Sequence, residues 1–143
     1  MLSLTCKTAI KAVIYLASKN DDNVRASIIE IAEYINASEH TTGKFLQVLV
    51  KNNIINSAKG PNGGFYITSQ QLKYSLTKII FAIDGKDVFK ECGLGLSKCS
   101  SNHPCPIHND YKVGRDAMEN LFKIKTIADL VQPVKGGLAY LID

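Results

Sequence analysis

Apolar residues recur along the first third of the chain at the spacing that gives a helix one buried face. The spacing i, i+3, i+4, i+7 occurs within residues 10–17, and a second apolar stripe covers residues 28–35. Ser27 and Glu30 fit an S-x-x-E capping box at the start of that stripe, and Ser38 is the start signal for a further helix. The pattern therefore predicts three consecutive helices, with a tight polar turn between the second and the third.

The third predicted helix has two chemically different faces. Its apolar face carries Thr42, Phe45, Leu46 and Leu49, and its solvent face carries His40, Lys44, Gln47 and Lys51. Two helices joined by a tight turn, the second basic on its exposed side, are typical of a helix-turn-helix. Helix pairs also occur in proteins that never meet DNA, and a basic face is often only solvated, so the pair alone is weak evidence.

Two short β-prone runs, "IINSA" and "GFYIT", follow this helix directly. The residues "KGPNGG" between them supply turn signals and a lysine, which predicts a hairpin with an exposed polar tip. A hairpin directly after a helix-turn-helix is a wing. The order helix, helix, helix, basic hairpin is restrictive, and it makes DNA binding the favoured function.

Two further helices are predicted beyond the wing. "SLTKIIFAIDG" is apolar on one side with Gly85 as a stop signal, and a long helix is expected from Pro106 onward. Residues at alternating spacings of four and three form a coiled-coil-like seam on the long helix, namely Ile107, Tyr111, Gly114, Met118, Leu121 and Lys125. Packing on its own domain is the alternative, but little sequence remains to cover this helix, so a homodimer is favoured. Thr126 and Asp129 give a further capping signal.

These elements predict a mainly α fold with a small β-hairpin, in which a winged helix-turn-helix domain precedes a long C-terminal dimerisation helix. The expected boundaries are 1–74 for the DNA-binding domain, 75–91 for a connecting helix and linker, 92–108 for a cysteine-rich loop, and 109–143 for the dimerisation helix and tail. A length of 143 residues, with 45% hydrophobic and 21% charged, suits one folded domain with or without an oligomerisation arm.

The net charge of +4 is modest, and most of it lies in the first half of the chain. Residues 1–74 contain eight Lys or Arg and five Asp or Glu, so this half is the better candidate for contact with a polyanion. The N-terminus lacks the apolar region of a signal peptide, and the longest apolar runs are far below the roughly 20 residues that cross a bilayer. We therefore expect a cytoplasmic protein with no membrane partner.

The segment "CGLGLSKCSSNHPCPIH" contains three of the four cysteines and two of the three histidines. The candidate ligands, spaced C-x6-C-x5-C-x2-H, are Cys92, Cys99, Cys105 and His108. Clustered thiols in a reducing compartment more often bind metal than form disulfides. Structural zinc sites usually contain a C-x2-4-C pair, whereas longer gaps let a loop wrap a larger object, so an iron–sulphur cluster is favoured over zinc, with disulfide switching as a third interpretation. Cys6 is predicted to be a buried structural thiol and His103 to be exposed.

The helix-turn-helix, the wing "KGPNGGFYI", the helix "LTKIIFAIDG" and the cysteine loop ending in "CPIH" together resemble the IscR/NsrR (Rrf-two) family of bacterial winged-helix transcription regulators. The similarity covers nearly the whole chain. It implies a homodimer crossed through the long helix, bound to a palindromic promoter with recognition helices in major grooves and wings at the minor groove. It also implies a cluster held by Cys92, Cys99 and Cys105, with His108 at the fourth-ligand position of members like IscR, whose presence or oxidation state alters DNA binding.

Three features depart from the family pattern. The gap between the first two cysteines is six residues, longer than the family pattern, so the geometry of the loop is expected to differ. The recognition helix reads "SEHTTGKF", which differs from the family pattern, so the target promoters of other members do not apply to this chain. In nitric-oxide-sensing members an acidic residue of the first helix can complete the cluster, but Thr8 occupies that position and has no carboxylate.

The candidate DNA contacts lie on the recognition helix and the wing, and they are Ser38, His40, Thr41, Lys44, Lys51, Lys59, Gly60, Asn62 and Gly63. The lysines would neutralise phosphates, so that affinity falls steeply with salt. Residues at the helix N-terminus are placed to reach base edges, and the wing glycines allow close approach to the DNA backbone. Loss of the cluster is expected to disorder residues 92–108 and to shift the spacing of the two recognition helices.

Two other functions stay open at this point. A zinc-stabilised winged-helix protein would bind DNA without sensing, and a small iron–sulphur electron carrier would not need a wing. A set of three thiols and one imidazole favours [2Fe–2S] over [4Fe–4S]. The sequence has no Ser-His-Asp arrangement, no phosphate-cradling glycine loop between strand and helix, and no paired carboxylates with a pocket, so no enzymatic activity is expected.

Overall fold

A computed structural model describes residues 1–20 and 24–143 of the chain. The elements of these residues are α1 (Leu4–Ser18), α2 (Ile28–Ile35), α3 (Glu39–Lys51), β1 (Asn56–Ala58), β2 (Gly64–Tyr66), a 3₁₀ turn (Gln71–Lys73), α4 (Leu76–Asp84), α5 (His108–Ile124) and α6 (Ile127–Lys135). The predicted mainly α fold with a small hairpin is confirmed.

Hydroxyl side chains cap four of these helices from the position just before the first helical residue. The caps and the N–H groups they accept from are Ser3 with Cys6, Ser27 with Glu30, Ser38 with Thr41, and Thr126 with Asp129. Each cap satisfies an N–H that the first helical turn leaves without an intrahelical partner. The carboxylate of Asp129 also accepts from the backbone N–H of Thr126 at 2.9 Å, which completes the capping box predicted there.

α1 lies at the centre of the hydrophobic core. Its buried side chains, such as Val13 and Leu16, pack with α2, α3, α4 and α6 in one continuous cluster. From α3 the fully buried Phe45, Leu46 and Leu49 enter the same cluster, as the helical spacing predicted. α6 closes the cluster against α1 through its own buried side chains, so the end of the chain returns to the first helix.

The wing is a two-stranded antiparallel ribbon that pairs Asn56 with Tyr66 and Ala58 with Gly64. Its strands are shorter than the β-prone runs of the sequence because Ile54, Ile55 and Ile67 are buried in the core and do not extend the ladder. The wing is therefore a short ribbon anchored at its base by apolar side chains.

Gln71 fixes the base of the wing through a buried polar network. Its side-chain oxygen accepts from Asn56 Nδ2 at 2.8 Å and from the backbone N–H of Thr68 at 2.9 Å. Its Nε2 donates to the carbonyl of Asn53 at 3.0 Å. A buried amide is stable only when its polar atoms are paired. These bonds join the segment that enters β1 to the segment that leaves β2, so they hold the base of the ribbon together.

α5 begins at His108, two residues later than Pro106, so the predicted start is wrong. Pro106 and Ile107 form a turn in which the N–H of His108 donates to the carbonyl of Cys105 at 3.0 Å. The proline therefore precedes the helix instead of lying in its first turn. The predicted stop of α4 is confirmed, since Gly85 ends that helix with a φ of 89°, a conformation that favours glycine.

Candidate functional site

The outer face of α3 is polar and basic. His40, Lys44, Gln47 and Lys51 are all exposed, while Thr42 on the opposite face is fully buried. This arrangement confirms the two-faced helix that the sequence predicted. The exposed side chains lie one helical turn apart, so they can enter a DNA groove together.

Ser38 and Thr41 are held by the cap of α3. The Ser38 hydroxyl accepts from the Thr41 N–H at 3.1 Å and donates to Thr41 Oγ1 at 2.9 Å. Their hydroxyls are thus engaged with each other at the N-terminus of the helix. The exposed His40 lies between them in sequence and the exposed Lys44 follows one turn after His40, and neither side chain makes such a bond with the described residues.

The wing tip holds Lys59, Gly60, Asn62 and Gly63 on an exposed turn. The N–H of Gly63 donates to the carbonyl of Gly60 at 2.9 Å, and Gly60 has a φ of 102°. A Cβ on Gly63 would lie 2.3 Å from the carbonyl oxygen of Ala58, so only glycine fits there. These contacts make the turn compact.

Arg25 also lies beside the wing, although neither the helix-turn-helix pattern nor the hairpin pattern of the sequence includes it. Its guanidinium carbon is 5.0 Å from the ring centroid of Tyr66, and its Nη1 donates to the carbonyl of Asn62 at 3.4 Å. The position follows from an antiparallel bridge between Ala26 and Phe65. That pairing joins segments far apart in the chain, and no local pattern reveals it.

The cysteine loop, residues 92–108, contains turns without a regular helix or strand up to His108, where α5 begins. It brings its four candidate ligands together as two pairs. Cys99 Sγ lies 3.2 Å from His108 Nδ1, and the Cys105 side chain is near enough to Cys92 to help lower the pKa of the Cys92 thiol. Cys92, Cys105 and His108 are buried, and Cys99 is half-buried.

One cysteine of each pair lines the same cavity. Cys92 and Cys99 border a cavity of about 720 Å³, together with Glu91, Leu96 and Ser100. Within the described part of the chain, no three His, Cys, Asp or Glu side chains converge as a site for a single metal ion. The arrangement is therefore two ligand pairs at one cavity and differs from a tetrahedral zinc site.

Backbone N–H groups stabilise the thiolate of Cys92. The N–H groups of Leu94 and Leu96 donate to its sulphur and lower the pKa of the Cys92 thiol, with smaller contributions from Cys105 and Gly95. A thiolate is the form of cysteine that binds metal, so this turn favours the protonation state that the predicted role of Cys92 requires.

The loop is attached to α5 at its first cysteine. Arg115 Nη1 donates to the carbonyl of Glu91 at 2.8 Å. The ring of Tyr111 packs on Gly93 so closely that a Cβ there would lie 2.7 Å from ring atoms. Residues on both sides of Cys92 thus contact the helix that carries His108.

Two other groups are placed as the sequence predicted, since Cys6 is fully buried and His103 is exposed. Burial, followed by the nearby Asp84 carboxylate, raises the pKa of the Cys6 thiol to about 12. Cys6 is therefore a packing residue at this position.

Thr8, in the same helix, donates its hydroxyl to the carbonyl of Leu4 at 2.8 Å.

α5 packs on its own domain along one side only. Phe122 stacks on Phe89 with ring centroids 6.0 Å apart, and Met118 contacts the same cluster. The outer side leaves Val113 and Ile124 more than half exposed, at 72% and 62%. Of the predicted seam, Tyr111 and Met118 are half-buried against the domain while Gly114, Leu121 and Lys125 are exposed. The helix therefore has an unpaired apolar side.

In the described residues, every helix is too short or too polar to span a bilayer.

Residues 2–133 match the Rrf2 family, described as iron-dependent transcriptional regulators. The chain therefore belongs to the Rrf2 family, and the resemblance seen in its sequence is confirmed. It is a DNA-binding transcription regulator, and because the family consists of such regulators it is not an enzyme.

The chain is similar to bacterial regulators over most of its length. An HTH-type transcriptional regulator of Aquifex aeolicus is 29% identical over 133 residues, which cover 92% of this chain and 91% of the relative. The HTH-type regulator NsrR of Oceanobacillus iheyensis is 23% identical over 134 residues, 93% of this chain and 90% of the relative.

Solved structures share its winged-helix fold. CymR, the global cysteine regulator of B. subtilis, superimposes with a TM-score of 0.75 at 20% identity, covering 92% of this chain and 96% of that one. IscR of T. potens superimposes with a TM-score of 0.73 at 18% identity, covering 98% and 92%. At these identities the likeness establishes the fold alone.

Proposed function

We propose that this regulator binds DNA under the control of an iron–sulphur cluster held by Cys92, Cys99, Cys105 and His108. The observation that carries the proposal is that Cys99, 3.2 Å from His108, lines the same cavity as Cys92, whose thiol pKa is lowered in part by the neighbouring Cys105. A [2Fe–2S] cluster takes two protein ligands on each of its irons, so paired donors suit it better than they suit a single zinc ion.

The donor chemistry agrees with this assignment. Thiolates are soft ligands of iron–sulphur clusters, and the turn after Cys92 already favours its thiolate. When bound, the cluster supplies a redox-active iron centre whose potential is raised where imidazole replaces thiolate. His108 would thus tune the centre while Cys92, Cys99 and Cys105 anchor it.

Contacts between the loop and α5 suggest how the state of the site reaches the DNA-binding surface. Arg115 and Tyr111 hold the backbone next to Cys92, and His108 is itself the first residue of α5. A change at the ligands therefore acts directly on the orientation of this helix. A coupling of this kind requires an element with two arrangements, and we propose that α5 is that element.

α5 is also the proposed centre of a homodimer. Val113, Leu121 and Ile124 are exposed on a helix of 17 residues in which only His108 is fully buried. A second copy would cover this apolar side. Rotation of α5 would then change the distance between two recognition helices, which sets the half-site spacing that the dimer can bind. The domain boundaries 1–74, 75–91, 92–108 and 109–143 remain part of this proposal.

The DNA side of the proposal uses the exposed face of α3 and the wing tip. His40 and Lys44 would enter the major groove, with Ser38 and Thr41 shaping the helix terminus, and Lys51 and Lys59 would neutralise phosphates. The wing glycines Gly60 and Gly63, with Asn62, would lie close to the DNA backbone.

Anaerobic purification followed by iron, sulphide and zinc analysis tests the cluster. We expect iron with matching sulphide and a visible absorption band in the wild type, and loss of all three in Cys99→Ala. Cys6→Ala is the matched control because it removes a buried cysteine outside the loop and should keep the cluster. Zinc alone, or a metal-free protein with a disulfide between Cys92 and Cys105, would contradict the proposal.

DNA affinity of the holo and metal-free forms, measured at the same salt concentration, tests the regulation. A difference between the two forms is expected because the loop is attached to α5. Equal affinities at every promoter site tested would reject control by the cluster, even if iron and sulphide are present.

A further inference from the structure

Arg25 lies on an extension of the wing. The backbone N–H of Ala26 donates to the carbonyl of Phe65 at 3.0 Å, and the N–H of Phe65 donates back to Ala26 at 2.8 Å. This exchange adds a third chain segment to the edge of β2. The backbone of Arg25 is thereby fixed next to the wing although it is remote from it in sequence.

Two contacts orient the guanidinium group of Arg25. It stacks over Tyr66, with 5.0 Å between the guanidinium carbon and the ring centroid, and Nη1 reaches the carbonyl of Asn62 at 3.4 Å. Stacking leaves the remaining N–H groups of an arginine available for a second partner. Because part of the side-chain entropy is already lost in the free protein, a ligand bound here loses less affinity to ordering.

A polar cleft of about 470 Å³ lies between Arg25 and the wing tip, lined by Val24, Arg25, Pro61, Asn62 and Gly63. Arg25 supplies the one charge among these lining residues. Among the described residues, no carboxylate lies within ion-pair distance of its guanidinium group. An exposed, oriented guanidinium beside an amide and a compact glycine turn has the chemistry that binds a phosphodiester.

We propose that Arg25 binds a phosphate of the DNA backbone next to the groove that the wing enters. The inference rests on the proposed contact between the wing and DNA, and it adds a residue that neither the helix-turn-helix nor the hairpin pattern contains. Since a phosphate contact carries no base information, Arg25 contributes affinity for any duplex.

Fluorescence anisotropy with a duplex of unrelated sequence, measured over a salt series, tests the inference. We expect Arg25→Ala to weaken binding roughly three- to tenfold at low salt. The slope of the logarithm of the association constant against the logarithm of the salt concentration, which is negative, should become shallower by about one. Arg25→Lys should restore the slope and only part of the affinity, because it keeps the charge and loses the planar fork. Tyr66→Leu should keep the slope and reduce affinity, because it removes the stacking partner alone.

Lys19→Ala is the matched control. Lys19 also lies over a tyrosine ring, 5.6 Å from the centroid of Tyr15, but it caps α1 and is not part of the wing. Thermal melting checks that each variant is folded. If folded Arg25→Ala keeps the affinity and slope of Lys19→Ala, the inference is wrong. Lys44→Ala and Lys59→Ala then separate two failures: weakened binding in these variants rejects only the role of Arg25, whereas unchanged binding rejects the proposed DNA face as well.

Discussion

Arg115 on α5 and Glu91 in the linker are joined by a hydrogen bond of 2.8 Å from Nη1 to the backbone carbonyl. Glu91 directly precedes Cys92, so the bond fixes the first proposed ligand of the cysteine loop relative to the helix that carries the last. The Nε–H of the same arginine is buried without a partner among the described residues.

Arg115→Ala should therefore shorten the lifetime of the cluster. Removing the side chain frees the backbone next to Cys92 while every ligand stays in place. We expect the visible absorption of the holo protein to decay several-fold faster in air, with iron content after anaerobic purification close to wild type. Lys112→Ala is the control, since it removes a cation of the same helix that pairs with Asp116 on the surface. Equal decay rates in the two variants would mean that the bond to Glu91 does not hold the loop.

His108→Cys should retain a cluster and lower its reduction potential. A thiolate donates more electron density to iron than a neutral imidazole does, so the oxidised state becomes more stable. His108→Ala should instead bind the cluster less stably and lose iron faster, because one iron would keep only Cys99 of its proposed pair of protein ligands. Redox titration followed by optical spectroscopy measures both outcomes. An unchanged potential in His108→Cys would place His108 outside the ligand set.

Cys6 should resist alkylation in the native protein. Its thiol is fully buried, and burial with the neighbouring Asp84 carboxylate raises its pKa to about 12. The reactive thiolate is therefore scarce below that pH and appears only as the pH approaches it. Peptide mass spectrometry after iodoacetamide treatment at pH 8 should find the half-buried Cys99 modified in metal-free protein and Cys6 unmodified until denaturant is added. Modification of Cys6 at the rate of Cys99 would contradict its burial.

Gly63→Ala should destabilise the wing. The new methyl group would lie 2.3 Å from the carbonyl oxygen of Ala58, so the turn must shift, at an expected loss of about 1–3 kcal/mol in the free energy of unfolding. Gly43→Ala is the matched control. Gly43 lies within α3, and the new methyl group would be 3.7 Å from the Ile28 side chain, an ordinary contact distance. There the substitution should stabilise by about 0.5–1 kcal/mol, since alanine favours the helix. Urea unfolding of both variants measures the difference, and equal stabilities would show that the turn adapts easily.

Local patterns in the sequence were sufficient for the helices and for the candidate chemistry. The caps at Ser27, Ser38 and Thr126, the buried face of α3 and the stop at Gly85 depend on residues within about one turn of each other, so they can be read from spacing. The cysteine spacing likewise indicated an irregular loop able to bind a cluster. The start of α5 was misplaced because proline is compatible both with a first turn and with the turn before it.

The tertiary structure decided which of these groups meet. Arg25 reaches the wing because Ala26 pairs with Phe65, and Arg115 reaches Glu91 because α5 folds back along the linker. The division of the ligands into two pairs also arises from the path of the loop, since the spacing allows other pairings. The amino-acid sequence by itself determined the helices, their caps and the clustering of the candidate ligands in one segment, since these depend on neighbours along the chain. Long-range packing alone determined the contacts between them, because it brings together residues whose separation in sequence carries no periodic signal.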